Sequence, residues 1–232
     1  VYIQTKFKLL TILSKEKAAQ KAFEVFGTPF LKSKSKAALK NAENIELLLN
    51  GKKVKGYRWN HPRPGKILIL HGFGSAAHKF ESYAVLLAMH GFEVLAFDAP
   101  AHGGSEGVYT NAIEYSAMIE KVIAGYGPIQ GFIAHSFGGI SLSLALEKIQ
   151  HTINTKVVFI APATETTSAV DGAFNMLKLK NKEVRKEFDK IIKTISGKET
   201  AWFSMRRAMK NINANILWIH DEEDDITPWA DA

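Results

Sequence analysis

Short unbroken runs of apolar residues alternate along the chain with longer segments whose apolar residues recur at helical spacing. Five such runs predict buried strands: residues 67–70, 94–97, 129–134, 157–160 and 216–219. Strands that are apolar on both faces and alternate with helices are typical of a parallel sheet that helices cover on both faces. The pattern therefore predicts an α/β fold with a mostly parallel central sheet.

The N-terminal segment has the pattern of one basic amphipathic helix over residues 5–26. Lysines occupy one side of this helix, and the other side carries Ala19, Ala22, Phe23 and Phe26. Gly27-Thr28-Pro29 ends it. Residues 1–66 contain 15 Lys+Arg against 4 Asp+Glu, whereas residues 67–232 contain 15 against 19. A solvated helix face explains this charge, and docking on an anionic membrane is the alternative.

Two further patterns complete the predicted architecture. Residues 45–49 and 54–59 flank Asn50-Gly51, which predicts a β-hairpin. Residues 161–215 carry no strand pattern, and they are too many for a plain connection in an α/β sheet. We therefore predict a helical cap there, with an ordinary pair of surface helices as the alternative.

These boundaries divide the chain into four parts. They are a basic helical extension over residues 1–44, the first part of an α/β core over 45–163, a cap insertion over 164–214, and the last core strand over 215–232. The chain has no cysteine, which excludes disulfides and thiolate chemistry, and no apolar run reaches the length of a membrane span. No nucleic-acid motif accompanies the basic charge. We predict a cytoplasmic protein without a nucleic-acid partner, and the sequence does not indicate its oligomeric state.

The residues that could carry chemistry follow the predicted strands. Residues 71–74, 98–105 and 221–225 each come directly after a strand, and so does Ser136. Open parallel sheets bind ligands beyond the carboxyl ends of their strands. We therefore expect these four segments to meet at one site.

Ser136 has the surroundings of a nucleophile. It lies within Ala134-His135-Ser136-Phe137-Gly138, and small residues two before and two after a serine are typical of a nucleophile elbow, a strained turn that lifts the hydroxyl above the sheet. A serine hydroxyl needs a base to become nucleophilic, a carboxylate to orient that base, and N–H groups to stabilise the oxyanion.

In their order along the chain, these four segments resemble the α/β-hydrolase family from about residue 45 to residue 232. The resemblance implies the α/β-hydrolase fold, with Ser136 as nucleophile and the N–H groups of Phe73 and Phe137 as the oxyanion hole. It implies Asp224 as the acid of a Ser-His-Asp triad. Asp221 stands where the family usually has glycine, so Asp221 and Asp225 stay as alternatives.

The histidine of that triad has no counterpart at the position that the resemblance implies. None of the eight histidines follows Asp224 in the sequence. We therefore expect the catalytic histidine to lie beyond residue 232, with a truncated, inactive homologue as the alternative. We expect His71 to act through its backbone more than its ring, His102 to be structural, His135 to point away from the reaction centre, and His220 to pack or cap.

The predicted reaction is hydrolysis of a small-molecule carboxylic ester with an apolar acyl or alcohol part, through an acyl-enzyme. The predicted substrate-binding residues are Gly72, His135, Phe174, Met176 and Trp202. No metal and no organic cofactor is expected. Thioesterases, peptidases and carbon–carbon hydrolases of the same fold stay as alternatives, and so does a non-catalytic small-molecule binding protein.

Overall fold

The computed structural model describes residues 2–30 and 38–231. Its α-helices are α1 (Tyr2–Leu13), α2 (Lys15–Gly27), α3 (Glu81–Met89), α4 (Ala112–Tyr126), α5 (Phe137–Leu146), α6 (Thr166–Met176), α7 (Lys182–Ser196) and α8 (Met205–Met209). Its strands are β1 (Glu43–Leu49), β2 (Lys52–Trp59), β3 (Lys66–Leu70), β4 (Glu93–Phe97), β5 (Gly131–His135), β6 (Lys156–Ile160) and β7 (Asn215–Ile219). Single 3₁₀ turns span Ala77–Phe80, Thr200–Trp202 and Trp229–Asp231.

The strands form one seven-stranded sheet in the order β1-β2-β4-β3-β5-β6-β7. The pairs β1–β2 and β2–β4 are antiparallel, and the strands from β4 to β7 are parallel to their neighbours. Asn50 and Gly51 have positive φ in the turn between β1 and β2, as a tight hairpin turn requires. The predicted hairpin, the five predicted strands and the mostly parallel sheet are confirmed.

Helices cover the sheet on both faces, as predicted. On one face, α4 and α5 bury Tyr115 and Leu142 against Leu68 and Phe97 of the sheet. On the other face, α3 buries Ala84. This packing fixes the positions of the strands, so that the carboxyl ends of β3 to β7 lie along one edge of the sheet.

The prediction of one helix over residues 5–26 is wrong, because two helices meet at Ser14. The backbone of Ser14 is extended, and its hydroxyl accepts a hydrogen bond from the Lys17 N–H at 3.1 Å. A serine in this conformation caps the start of a new helix more effectively than it continues an old one. The predicted end of the helix is confirmed, since α2 ends at Gly27.

The predicted cap segment contains helices, as expected, and they pack against the N-terminal helices. Phe7 of α1 and Ala22 of α2 share one buried cluster with Phe174 of α6 and Phe188 of α7. The predicted extension and the predicted cap therefore form one layer, although residues 31–37 of the extension lie outside the described residues. None of the helices that the structure describes has the length and apolarity that crossing a bilayer requires.

Candidate active site

Ser136 occupies a strained turn between β5 and α5. Its φ of 49° and ψ of −116° are unusual for a residue with a side chain. Three hydrogen bonds hold this conformation: the Ser136 N–H donates to the Ile160 carbonyl at 3.1 Å, and the Ser136 carbonyl accepts from the N–H groups of Gly139 (2.8 Å) and Ala163 (3.0 Å). Neighbouring segments therefore determine the elbow from both sides.

Two glycines allow other backbone segments to approach the elbow closely. A Cβ atom on Gly138 would lie 2.9 Å from the carbonyl oxygens of both Leu70 and His71. A Cβ atom on Gly72 would lie 2.7 Å from His135 Nδ1 and 3.1 Å from Ser136 Cβ. The loop after β3 is thus in direct contact with the turn at Ser136.

The two predicted oxyanion residues lie side by side. The rings of Phe73 and Phe137 are 5.6 Å apart, edge to face. Phe137 is the first residue of α5, where an N–H has no acceptor within the helix. Within the described residues, the Phe73 N–H donates no hydrogen bond either. Both donors are therefore available to an anionic oxygen, and the positive end of the α5 dipole lies beside them.

Two buried histidine rings hold the oxyanion loop in place. His71 Nε2 accepts the Ala99 N–H at 2.9 Å, so its Nδ1 carries the proton and donates to the Gly72 carbonyl at 2.8 Å. His102 Nε2 accepts the Gly74 N–H at 2.9 Å. Burial lowers the pKa of His71 to about 3, which keeps its ring neutral. The His71 ring ties the loop after β3 to the loop after β4, a contact that the sequence pattern did not predict. That its backbone matters more than its ring stays a prediction.

The Asp224 carboxylate accepts three hydrogen bonds from its own turn. The donors are the Ile226 N–H, the Thr227 N–H and the Thr227 hydroxyl, each at 2.8 Å. Hydrogen bonds from the Thr227 N–H and hydroxyl hold the pKa of Asp224 below its ordinary value. The carboxylate is therefore ionised and fixed in orientation, as a triad acid must be.

Thr227 also connects this turn to the elbow. Its Oγ1 lies 3.4 Å from the Ala161 carbonyl, in the loop after β6. The same loop contains Ala163, whose N–H donates to the Ser136 carbonyl. Thr227 was not among the predicted site residues, although its position three residues after Asp224 is typical of a side-chain hydrogen bond within a turn.

The two alternative acids have different surroundings from Asp224. Asp221 and Asp225 are exposed, whereas Asp224 is partly buried. Asp221 Oδ1 accepts the Glu223 N–H at 2.9 Å, which is a bond inside the loop. In the described ranges, no three His, Asp or Glu side chains converge as a metal site would need.

Histidines near the site do not complete a triad. In the part of the chain that the structure describes, the Ser136 hydroxyl makes no hydrogen bond to an imidazole. His220 Nε2 lies 3.9 Å from Asp224 Oδ2, but it donates to the Thr227 carbonyl at 2.6 Å. Its Nδ1 accepts the Trp218 Nε1–H at 3.3 Å, so both ring nitrogens are engaged. His220 therefore packs within this part of the fold, as predicted.

His135 lies on the α3 side of the sheet, with its ring 6.2 Å from the Phe80 ring. Burial lowers its pKa, and the negative charge of Asp224 opposes this shift. Its Nδ1 is in close contact with Gly72, so the ring supports the oxyanion loop from the side.

The structure does not gather the predicted substrate-binding residues of the cap on one surface. Phe174 is buried edge to face with Phe188, at 5.3 Å between ring centres. Met176 is exposed, and Trp202 lies against the Arg207 guanidinium at 3.6 Å. A substrate-binding role for these residues, and for Gly72 and His135, stays a prediction.

A groove of about 640 Å³ lies between α2 and α7. Its apolar lining comes from Phe23, Tyr109, Ile191 and Ile195. Neither Ser136 nor any predicted substrate-binding residue lines it. The sequence pattern did not predict this groove. It predicted only that Phe23 lies on the apolar side of the N-terminal helix.

Residues 67–231 match the family model described as the alpha/beta hydrolase family. Among solved structures, the chain is similar to an esterase of Pyrococcus furiosus, with 18% identity and a TM-score of 0.62 over 87% of this chain and 81% of that one. It is also similar to an esterase of Exiguobacterium antarcticum, with 16% identity and a TM-score of 0.53 over 78% of this chain and 82% of that one.

A third similar structure is a membrane phospholipase A described as a bacterial virulence factor. It has 14% identity and a TM-score of 0.59 over 83% of this chain and 74% of that one. At such identities, the likeness shows the fold alone, and that fold is the predicted α/β-hydrolase fold. No curated protein matches this chain.

Proposed function

Because this chain belongs to the α/β-hydrolase family, we propose that it is a serine hydrolase that cleaves a carboxylic ester with an apolar acyl or alcohol part. The observation that carries the proposal is the strained Ser136 turn beside the N–H groups of Phe73 and Phe137. Backbone strain of this kind is retained where the surrounding structure determines it and where chemistry uses it.

In the proposed reaction, Ser136 Oγ attacks the carbonyl carbon of the ester and its proton passes to a base. The N–H groups of Phe73 and Phe137 stabilise the negative oxygen, and losing one such donor costs about 3 kcal/mol of transition-state stabilisation. Collapse of this intermediate breaks the ester bond, and the alcohol leaves with the proton from the base. Water then attacks the acyl-enzyme and releases the acid.

In this proposal, Asp224 orients the histidine that serves as the base. The rings of His71, His102 and His220 already hold backbone or side-chain groups within the fold. Asp224 is held in one orientation by Thr227, and a carboxylate in this state can fix the tautomer of a histidine that approaches it.

Two observations support an ester as the substrate. The exposed ring of Phe73 and the neighbouring ring of Phe137 make the entrance to Ser136 apolar. Two of the solved structures of similar fold are esterases. A serine nucleophile forms an acyl-enzyme, which suits ester cleavage.

A fluorophosphonate probe tests the nucleophile in the protein as the cell makes it. We expect one covalent adduct by intact mass, lost in Ser136→Ala and kept in the control Ser168→Ala, which removes a partly exposed hydroxyl from α6. An adduct that survives Ser136→Ala would contradict the assignment of the nucleophile.

Turnover of p-nitrophenyl esters, thioesters and aminoacyl amides tests the substrate class and the acid. We expect ester turnover, and a loss in kcat of about 10⁴-fold in Asp224→Asn but not in Asp225→Asn. Turnover of the amides alone would overturn the ester assignment.

The second candidate function is a non-catalytic small-molecule binding protein. The lack of a hydrogen bond between Ser136 and a histidine, within the described residues, is the observation that favours it. It predicts ligand binding without turnover and no effect of Ser136→Ala. The same probe experiment separates the two functions, because a binding protein would form no adduct.

A further inference from the structure

The outer side of α1 exposes three large aliphatic side chains. Leu9, Ile12 and Leu13 are 59%, 78% and 79% exposed, and their spacing places them on one face of the helix. The inner side is already covered, because Phe7 is buried in the cluster that contains Phe188. Helix α1 is therefore apolar on two sides, and the described residues cover only one of them.

Basic residues lie at both ends of this exposed stripe. Lys8 is exposed next to Leu9, and Lys17 is exposed in the first turn of α2. Lys15, in the same turn, is partly buried and donates a hydrogen bond to the Thr11 carbonyl. Residues 7–17 contain three lysines and one acidic residue, Glu16, which accepts a hydrogen bond from the Ser14 hydroxyl at 2.7 Å. The surface therefore combines an aliphatic centre with a net positive border.

We propose that this stripe, Leu9, Ile12 and Leu13 with the exposed Lys8 and Lys17, docks the protein on an anionic lipid surface. Aliphatic side chains enter the boundary between headgroups and acyl chains, while lysines keep their ammonium groups at the lipid phosphates. Protein interfaces are rich in aromatic residues and poor in lysine, whereas this stripe has exposed lysines and no aromatic residue. A lipid surface fits this chemistry better than a protein partner does.

The structure changes where such a contact would lie. The sequence pattern predicted one basic helix over residues 5–26, with docking on an anionic membrane as the alternative to a solvated face. The break at Ser14 divides that helix, and the face of α2 with Ala19 and Ala22 packs into the cap layer. The apolar part of the surface thus comes from α1 alone. The proposal goes beyond the proposed hydrolase function and does not rest on it.

Co-sedimentation with extruded vesicles tests the proposal on the full-length chain without any activity readout. We expect binding to phosphatidylcholine vesicles that contain phosphatidylglycerol, much weaker binding to pure phosphatidylcholine, and a decrease with added salt. Replacing Leu9, Ile12 and Leu13 together by serine should weaken binding by at least about tenfold. Lys8→Gln with Lys17→Gln should weaken it by about tenfold on the anionic vesicles only.

The control is Met89→Ser with Ile153→Ser, which removes two exposed apolar side chains (79% and 57%) from other parts of the surface. It should bind anionic vesicles as the unaltered chain does, and thermal melts should show that every variant folds. Three results would each overturn the proposal. They are failure of the unaltered chain to sediment with anionic vesicles, equal binding to both vesicle types, and full binding by the triple variant. Sedimentation velocity without lipid tests the other possible partner of the stripe, a second copy of this chain. If the unaltered chain self-associates, the triple variant does not, and neither binds vesicles, then the stripe is a contact between copies and the lipid proposal is overturned.

Discussion

The half of the candidate site around Ser136 and the half around Asp224 are stabilised in different ways. Ser136 is held by hydrogen bonds from β6 and the loop after it, and Gly138 packs against the end of β3. Asp224 is held mainly by its own turn, and it follows a strand at the sheet edge whose Leu217 and Ile219 are 56% and 49% exposed. The backbone of Ser136 depends on packing against distant segments, whereas the carboxylate of Asp224 depends on local hydrogen bonds.

This difference implies that substitutions in the two halves of the site have different effects. Substitutions around Ser136 should affect the stability of the whole fold, because the elbow is a junction of three strands. Substitutions around Asp224 should affect the orientation of one carboxylate and little else. The predictions that follow test this contrast.

The largest effect should come from Gly138→Ala. Its Cβ atom would lie 2.9 Å from two backbone oxygens, which cannot move aside as a flexible side chain can. Overpacking of this kind should lower the free energy of unfolding by about 3 kcal/mol, as measured by urea denaturation.

The matched control is Gly125→Ala, in the exposed part of α4, where a Cβ atom would meet nothing within 4 Å. It should raise the free energy of unfolding by about 0.5–1 kcal/mol, because alanine favours a helix interior more than glycine does. Equal effects of the two substitutions would show that the elbow is not closely packed.

A pH titration of stability should show the next largest effect, through His71. Its pKa is about 3 in the fold and about 6.5 in an unfolded chain, so between these values only the unfolded state binds the proton. The stabilisation is complete above pH 6.5 and falls as pH decreases, by up to about 1.4 kcal/mol per pH unit. Urea denaturation at pH 6.5 and pH 5 should therefore differ by about 2 kcal/mol from this group.

The variant His71→Gln separates this contribution from those of the other histidines. Glutamine can still accept the Ala99 N–H but does not titrate in this range. Its stability should change less with pH than that of the unaltered chain. If stability changed with pH in the same way in both proteins, the His71 ring would not be the group that is held uncharged in the fold.

The smallest effect should come from Thr227→Val in the acid half. This variant loses the hydroxyl that donates to Asp224 but keeps the shape of the side chain and the backbone N–H bond. Stability should decrease by about 1 kcal/mol in urea denaturation, and the pKa of Asp224 should rise towards its ordinary value in a carboxyl NMR titration. Thr227→Ser should restore both, and a Val variant with an unchanged pKa would mean that the hydroxyl does not act on Asp224.

The order of the strands' apolar runs and the small residues around Ser136 were sufficient to predict the sheet and the elbow. Both depend on local patterns, since a buried strand must be apolar and an elbow must have small neighbours. The break at Ser14 was missed because helical periodicity continues across it, while one side-chain hydrogen bond determines the boundary.

The scaffold of the site was harder to predict than its candidate chemistry. The His71 ring accepts a hydrogen bond from the Ala99 N–H, and the Thr227 hydroxyl lies beside the Ala161 carbonyl. Both contacts join segments that are distant in the sequence. A substrate-binding role was predicted for Phe174 and Trp202 of the cap, but composition alone does not show whether such a side chain is exposed or buried. Phe174 is buried among other rings of the cap layer.

The contact between Gly72 and Ser136 has a consequence for how such a chain can evolve. A side chain at position 72 would press on the nucleophile turn and on the His135 ring. A substitution at residue 72 therefore requires a compensating substitution at residues 135–136, and the reverse also holds. Selection should eliminate a substitution in one segment alone. Among relatives of this chain, the two segments should be inherited together even where the surrounding helices diverge.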